Sequence, residues 1–520
     1  MTSQNTPRLK RALARYPQAD ANGDGILTAS EAMAYLQKLQ GDRVGMKPPS
    51  DSPASVRAPA TASEGYDSWR QVLAGPVPGD TEGSSASGPA GRADWPVVVA
   101  GADLLNLKGA RPDHLVAFSY TDKWQQAPVQ VDERTIVDYH DVYNRAFFGG
   151  KCFENLVHAD ANTCTGADAD PTIDADDEVV FMARDAGGRP GRWREPTGVV
   201  AGSAVEVEIT DPLNGRQAYV YLFRSAGGLD PSAGKCYVRY LFKLRAGEYR
   251  ANYRFRRGPN PEDSTVTTAF YTRHFSDRWI SDGLAIRPPL GSGVDLLDMH
   301  KSLFTPGLPA RSVLTFSRGE GAFIVNKSGP VRAIRAYVGC NSGPLTEGRH
   351  FFYERCEEFQ AFLRVHPIRS LVTFTDYSEA ARGMRYFNNL NPQGVTVDGA
   401  ADDVKTGTVT WEMVTGKPGT LITLNRLVSS FADRSPTSYY LDAEKPEVPQ
   451  VSGDSHAYAS SGPWYQRPIG NTDPRKAGWG TFTTQRILLF AGPGATADTA
   501  RRYLTEAARP LTTRLSAAGR

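Results

Sequence analysis

The chain is short of cysteine, of net charge and of long apolar runs, and each shortage removes a class of function. Five cysteines in 520 residues, none in a CxxC pair, argue against a zinc ribbon or a dithiol redox centre. Fifty-nine basic residues against 57 acidic leave a net charge of +2, too little to mark the whole chain as a nucleic-acid or anionic-membrane binder. No apolar run approaches the roughly 20 residues that span a bilayer as a helix. Signature loops are missing as well: there is no GxSxG elbow, no P-loop, no GxGxxG opening a βαβ unit and no HExxH. Serine-triad, nucleotide, hydride and zincin chemistries therefore lose support. The opening residues Met1 to Asn5 carry no apolar signal core.

What is abundant points to β-structure. Fifty Gly, 36 Pro, 22 Tyr and 22 Phe suit short strands broken by turns. Alternation is clear in Ala204–Ile209, and apolar or aromatic runs recur at 97–100, 115–120, 129–132, 218–223, 237–242, 249–255 and 266–271. They continue at 331–338, 359–365, 409–414, 421–424 and 482–490. One late stretch, Thr496 to about Ala508, reads as a capped helix. Residues 46–94 are rich in Pro, Ser, Gly and Ala and read as a linker, with an apolar island from Tyr66 to Leu73. No fixed-period repeat marks a propeller or solenoid.

The N-terminus holds the sharpest motif. Asp20-Ala-Asn22-Gly-Asp24-Gly25-Ile26-Leu27-Thr28-Ala-Ser-Glu31 places side-chain oxygens at alternate positions. Gly25 serves the sharp turn, the Ile26 carbonyl and Thr28 follow, and Glu31 closes the loop. Helical spacing flanks it at 9–16 and 32–39. The stretch resembles the EF-hand family over about residues 5–40, which implies Ca²⁺ as a ligand. A single hand suits a sensor, a stabilising cap or a self-association module, and the lone Met33 favours the structural uses over a sensor groove.

The sequence thus predicts a mainly β protein: an EF-hand helix-loop-helix at 1–45, a linker at 46–94, and a large multi-stranded β-sandwich body at 95–520. A subdivision of the body is expected near 260–330. Two local disulfides, Cys152–Cys164 and Cys340–Cys356, would suit an extracellular or periplasmic protein, five reduced thiols being the alternative.

Three clusters in the body carry candidate chemistry. Asp168, Asp170, Asp174 and Asp176 alternate before the apolar run 179–182, as a second Ca²⁺ loop or a solvated acidic turn. Tyr271, Arg273, His274, Asp277, Arg278 and Trp279 mix a base, guanidiniums and aromatics, as an anionic-sugar site or a structural Arg–Asp pair. His350 and Glu354 would share a strand face as an acid/base pair or as part of an ion-paired strand. The patches Gln126–Glu133, Asp174–Ala183 and Ser328–Ile334 resemble secreted carbohydrate-active proteins of the galactose-mutarotase-like supersandwich type. That resemblance implies a large β-sandwich acting on or binding glycans. The expected function is a polysaccharide lyase using Tyr271, Arg273, His274 and Arg278, or a hydrolase using Asp277 and Glu354. The alternative is a non-catalytic Ca²⁺-dependent structural, adhesion or subunit-linking protein. A polysaccharide is the expected partner, with neither nucleic acid nor a membrane span.

Overall fold

The computed structural model describes residue 4 and residues 19–28, 92–142, 153–163, 165–245, 256–257, 260–304, 311–432, 434–446 and 452–518. Glu31, Cys152, Cys164, the expected strand 249–255, the helices flanking the EF-hand loop and residues 46–91 of the expected linker lie outside those residues.

The described body is mainly β, as the turn-rich, aromatic composition predicts. Its centre is a ten-stranded antiparallel sheet. In spatial order it runs Arg256–Arg257, Glu320–Ser328, Ala333–Cys340, Gly343–Phe352, Cys356–Phe362, Phe482–Ala491, Gly419–Ser429, Trp411–Gly416, Arg385–Asn388 and Asn391–Thr396. Neighbouring residues of these strands are buried on opposite faces, because both faces are covered. Ile334, Phe351, Ile422 and Leu489 enter one core, while Ala333, Phe352, Leu421 and Leu488 enter another. With both faces covered, the central strands show no simple alternation of apolar and polar residues, and several of them bury charged side chains, Glu347, Arg349, His350, Glu357 and Glu358 among them.

On one side, two sheets share the covering: Val238–Leu241, Ser264–Thr268, Tyr271–Asp277 and Ile280–Ile286 form one, and Leu297–Phe304, Leu371–Tyr377, Ala457–Tyr465 and Thr437–Ala443 form most of the other. On the opposite side lies a three-stranded sheet of Pro96–Ala100, Glu178–Met182 and Gln130–Asp132. Val98, Val180 and Met182 face the large sheet. Val97, Val99, Val179 and Phe181 face outward onto a five-stranded sheet of Thr512–Ala517, Val205–Thr210, Gln217–Arg224, Leu115–Tyr120 and Trp124–Ala127. The result is four β layers in a stack. The helix Ala497–Ala508 lays Ala500, Tyr503 and Ala507 on the central core, and Thr496 with Thr499 closes a capping box at its start.

Several expectations need correction. Cys340 and Cys356 are buried and are not joined in the expected disulfide. The strand Gly343–Phe352 runs between them, setting them about 30 Å apart at roughly 3.3 Å per residue, whereas a disulfide tolerates a Cα separation of only about 7 Å. The linker ends earlier than expected. Arg92 is buried and ion-paired with Asp211 at 2.8 Å, and it donates to the Glu506 and Arg509 carbonyls at the end of the helix. Asp94 pairs with Arg184 and Arg355. Within 260–330 the chain passes from the sheet that ends with Ile280–Ile286 to the one that holds Leu297–Phe304, while the large sheet takes Arg256–Arg257 from before that span and most of its strands from after it.

Candidate active site between the central sheet and its facing layer

The strand Tyr271–Asp277 alternates between buried and half-buried positions, so the residues expected to act together separate by face. Tyr271 points inward, donates its hydroxyl to the Tyr353 carbonyl at 2.9 Å and stacks on Phe490. It is packing. Asp277 is buried and accepts from the Asn260 amide at 2.7 Å, and burial pushes its carboxyl up to about 6. His274 points outward between Asp282 (2.6 Å) and Asp263 (3.2 Å). Against the effect of partial burial, those two carboxylates hold its pKa above the usual histidine range.

The second segment breaks where a continuous strand was expected. Gly343–Phe352 and Cys356–Phe362 form a hairpin closed by the turn 353–355, with Phe352 opposite Glu357 and His350 opposite Phe359. Glu354 therefore leaves the His350 face. It is fully buried in the turn and ion-paired to Arg184 at 2.5 Å and to Lys235. Glu357, which spacing along one strand does not single out, is folded back onto His350, with Nδ1 and Oε1 2.8 Å apart.

Of the six residues expected to share the lyase or hydrolase chemistry, Arg273 and Arg278 reach a shared cavity. Its walls include Arg273, Trp279, His300, Ser302, Tyr337, His350, Glu357 and Arg486. Tyr337 Oη lies 3.1 Å from His350 Nε2, so Tyr337, His350 and Glu357 form a continuous hydrogen-bonded chain. Burial pushes His350 down to about 4 and Tyr337 up, so near neutral pH the imidazole is uncharged and the phenol keeps its proton. Nδ1–H then donates to Glu357 and Nε2 accepts from Tyr337. Burial alone would push Glu357 up, but Arg273 and the His350 hydrogen bond hold it below the usual glutamate range. Arg273 Nε lies 3.4 Å from Glu357 Oε2, and Arg273 Nη1 and Arg486 Nε are buried without a hydrogen-bond partner. Arg486 donates instead to His300 Nδ1 (2.9 Å) and Thr375 (3.1 Å). The cavity measures about 20 Å³, room for about one water.

No known family model matches the chain, and no curated protein matches it. Among solved structures it is similar to an α-mannosidase from Enterococcus faecalis V583, at 9% identity and a TM-score of 0.39. The match covers 79% of this chain and 41% of the mannosidase, so the chain spans about two fifths of that protein's length. At this level the likeness carries no argument about activity.

The expected metal positions are placed in part. In the N-terminal loop, Asp20 accepts from the amides of Gly23 (2.9 Å) and Gly25 (2.7 Å), Asn22 from Asp24 (3.0 Å) and Asp24 from Ile26 (2.8 Å). Gly25 sits at φ +78°, which a side chain would strain. Leu27 is fully buried, and Glu31 lies outside the described residues. In the second loop, Asp174, Asp176 and Asp177 bring carboxylate oxygens within 4.8 Å of one another. Asp168 and Asp170 do not join that group; they turn onto the backbone at Ala169 and Thr172. Burial pushes Asp177 up to about 7.

Proposed function

We propose that the β body acts on acidic glycans as a lyase, with Tyr337, His350 and Glu357 as the proton-moving chain and Arg273 as the carboxylate-binding group. One observation carries the reading: segments 271–279 and 350–357, separately suspected of acid/base and anion chemistry, line a single cavity. β-Elimination beside a uronate carboxylate needs a base for the α-proton, a proton for the leaving glycosidic oxygen, and a cation for the charge that builds on the carboxylate. Tyr337 passes its proton to neutral His350 Nε2 and takes the α-proton. Glu357 holds the imidazolium that forms, and Arg273 neutralises the enolate. The proton on Tyr337 then goes to the departing oxygen, and His350 returns its proton to Tyr337. Hydrolysis by Asp277 and Glu354 has less support, since both carboxylates are buried in structural contacts.

A cavity of about 20 Å³ does not admit a sugar ring, so the reading requires the wall at half-buried His300 and Ser302 to open on binding. That closure favours a second reading, a non-catalytic glycan-binding or subunit-linking protein. In either case the oxygen-rich loop of Asp20, Asn22, Asp24, Ile26, Thr28 and Glu31 would hold Ca²⁺, a hard cation that this donor set fits. Asp174 and Asp176, with Asp177, would supply a second site. Ca²⁺-dependent modules of low affinity suit a location outside the cytoplasm.

The test is release of unsaturated ends from a panel of acidic and neutral polysaccharides by the wild type and by His350→Gln and Tyr337→Phe. Product from an acidic glycan that both variants lose supports the lyase. No product across the panel, with a glycan still raising the unfolding temperature, leaves the binding reading in its place.

A further inference from the structure

The donor surplus of the central cavity has a consequence that needs no catalysis. We propose that this cavity holds one small monovalent anion, chloride-sized, between Arg273 and Arg486. Three guanidiniums line it, those of Arg273, Arg278 and Arg486, against one carboxylate, Glu357. Arg278 is engaged with the Ser317 and Gly319 carbonyls. Arg273 Nη1 and Arg486 Nε have no acceptor, and both side chains are more than nine-tenths buried. The two histidines add none of the missing negative charge: burial keeps both neutral, with His300 accepting from Arg486 and His350 donating to Glu357. Glu412 sits beyond Arg486 at 3.6 Å and outside the cavity wall.

Unpaired donors on buried cations are costly; a water could give one hydrogen to Glu357 Oε2, the carboxylate oxygen in the wall without a hydrogen-bond partner, but it brings a second hydrogen and no negative charge against three guanidiniums. A halide brings acceptor capacity and charge alone. With a volume of about 20 Å³, room for about one water, the cavity suits a single halide better than the bulkier sulfate or phosphate. The same position would receive a substrate carboxylate if the cavity opens, but halide binding stands whether or not the protein is a lyase.

The experiment is thermal unfolding of the full chain in chloride, bromide and sulfate at matched ionic strength, together with crystals grown in bromide and measured at its absorption edge. Expected are a midpoint several degrees higher in chloride and bromide than in sulfate, and one anomalous peak within hydrogen-bonding reach of Arg273 Nη1 and Arg486 Nε. Arg273→Met should abolish the difference between salts. If that variant fails to fold, the bromide peak in the wild type decides alone. No peak in the cavity, or a chloride effect that survives in Arg273→Met, overturns the proposal.

Discussion

Two buried histidine–glutamate pairs lie on opposite faces of the central sheet, and they differ in how completely they are satisfied. On the side of the three-stranded sheet, Arg332 is fully buried and donates to Asp132 (2.7 Å) and to Glu178, beside His158. Gln130 bridges the Val331 and Arg332 amides to Asp132. Arg134 and Lys327 add further cations at 3.1 and 3.2 Å. No buried side-chain nitrogen or oxygen of Gln130, Asp132, His158, Glu178 or Arg332 lacks a partner. Although burial alone would push Asp132 up, Arg332 and Lys327 hold it at about 2. On the other face, His350 and Glu357 meet Arg273 and Arg486 with donors to spare and a void between them. The same residue types make a closed clamp in one place and an open-handed site in the other. Residue chemistry alone does not mark a site; unspent hydrogen-bonding capacity beside empty space does.

The comparison can be broken most forcefully at Arg332. Arg332→Met leaves buried Asp132 with Lys327 alone and Glu178 with Arg134 alone as cationic partners, and should cost about 3–5 kcal/mol, or prevent folding; denaturant titration measures it. If Arg273→Met costs more than that, the clamp and the site have been assigned the wrong way round. Next in size is function: His350→Gln should lower kcat/KM for an acidic glycan by about 100-fold or more, while His158→Gln affects stability and leaves turnover within about threefold of the wild type.

Acid should expose what the two faces share. His158 and His350 each titrate at about 4 in the folded protein, against 6.5 for an unhindered histidine. The unfolded chain therefore takes up these protons first, and stability from each group is lost as pH falls from about 6.5 to about 4. Asp277 and Asp376, both raised to about 6, work in the opposite direction, so the informative quantity is the difference between proteins. Stability measured from pH 7 to 4 should decline less steeply in His158→Gln and in His350→Gln than in the wild type. A parallel decline in all three would mean that neither imidazole is held neutral. The smallest effect concerns calcium: EDTA should lower the unfolding temperature by about 2–5 °C, reversibly with added Ca²⁺, and Asp20→Ala should diminish the response.

Much of the β architecture was legible because strand patterns depend on local alternation and burial. Ala204–Ile209, Ala218–Phe223 and 482–490 fall on strands with shifts of at most a residue or two. The helix expected from Thr496 lies where its capping threonine puts it. The site was less legible, for two physical reasons. A strand sends neighbouring side chains to opposite faces, so the run Tyr271–Asp277 could not act as a unit, and His274 parted from Arg273. A turn reverses that rule within three residues, and the bend at 353–355 exchanged Glu354 for Glu357 as the partner of His350. Tyr337 and Arg486 come from strands of the large sheet that are distant in sequence, and His300 comes from a sheet packed against it, so only strand order and layer packing bring them together. The half-polar sequence Tyr353-Glu354-Arg355 before Cys356 was the one local hint of that bend.

The strand Thr512–Ala517 pairs with Val205–Thr210, a partner about 300 residues earlier in the chain. A ribosome adding roughly 5–20 residues each second would leave the Val205–Thr210 edge open for at least about fifteen seconds before its neighbour emerges. Until then the outer layer presents an unpaired row of amides and carbonyls to any passing strand. Glu206 and Glu208 lie on that edge, each ion-paired to Arg189, and an edge lined with charged side chains is a poor template for a second nascent chain.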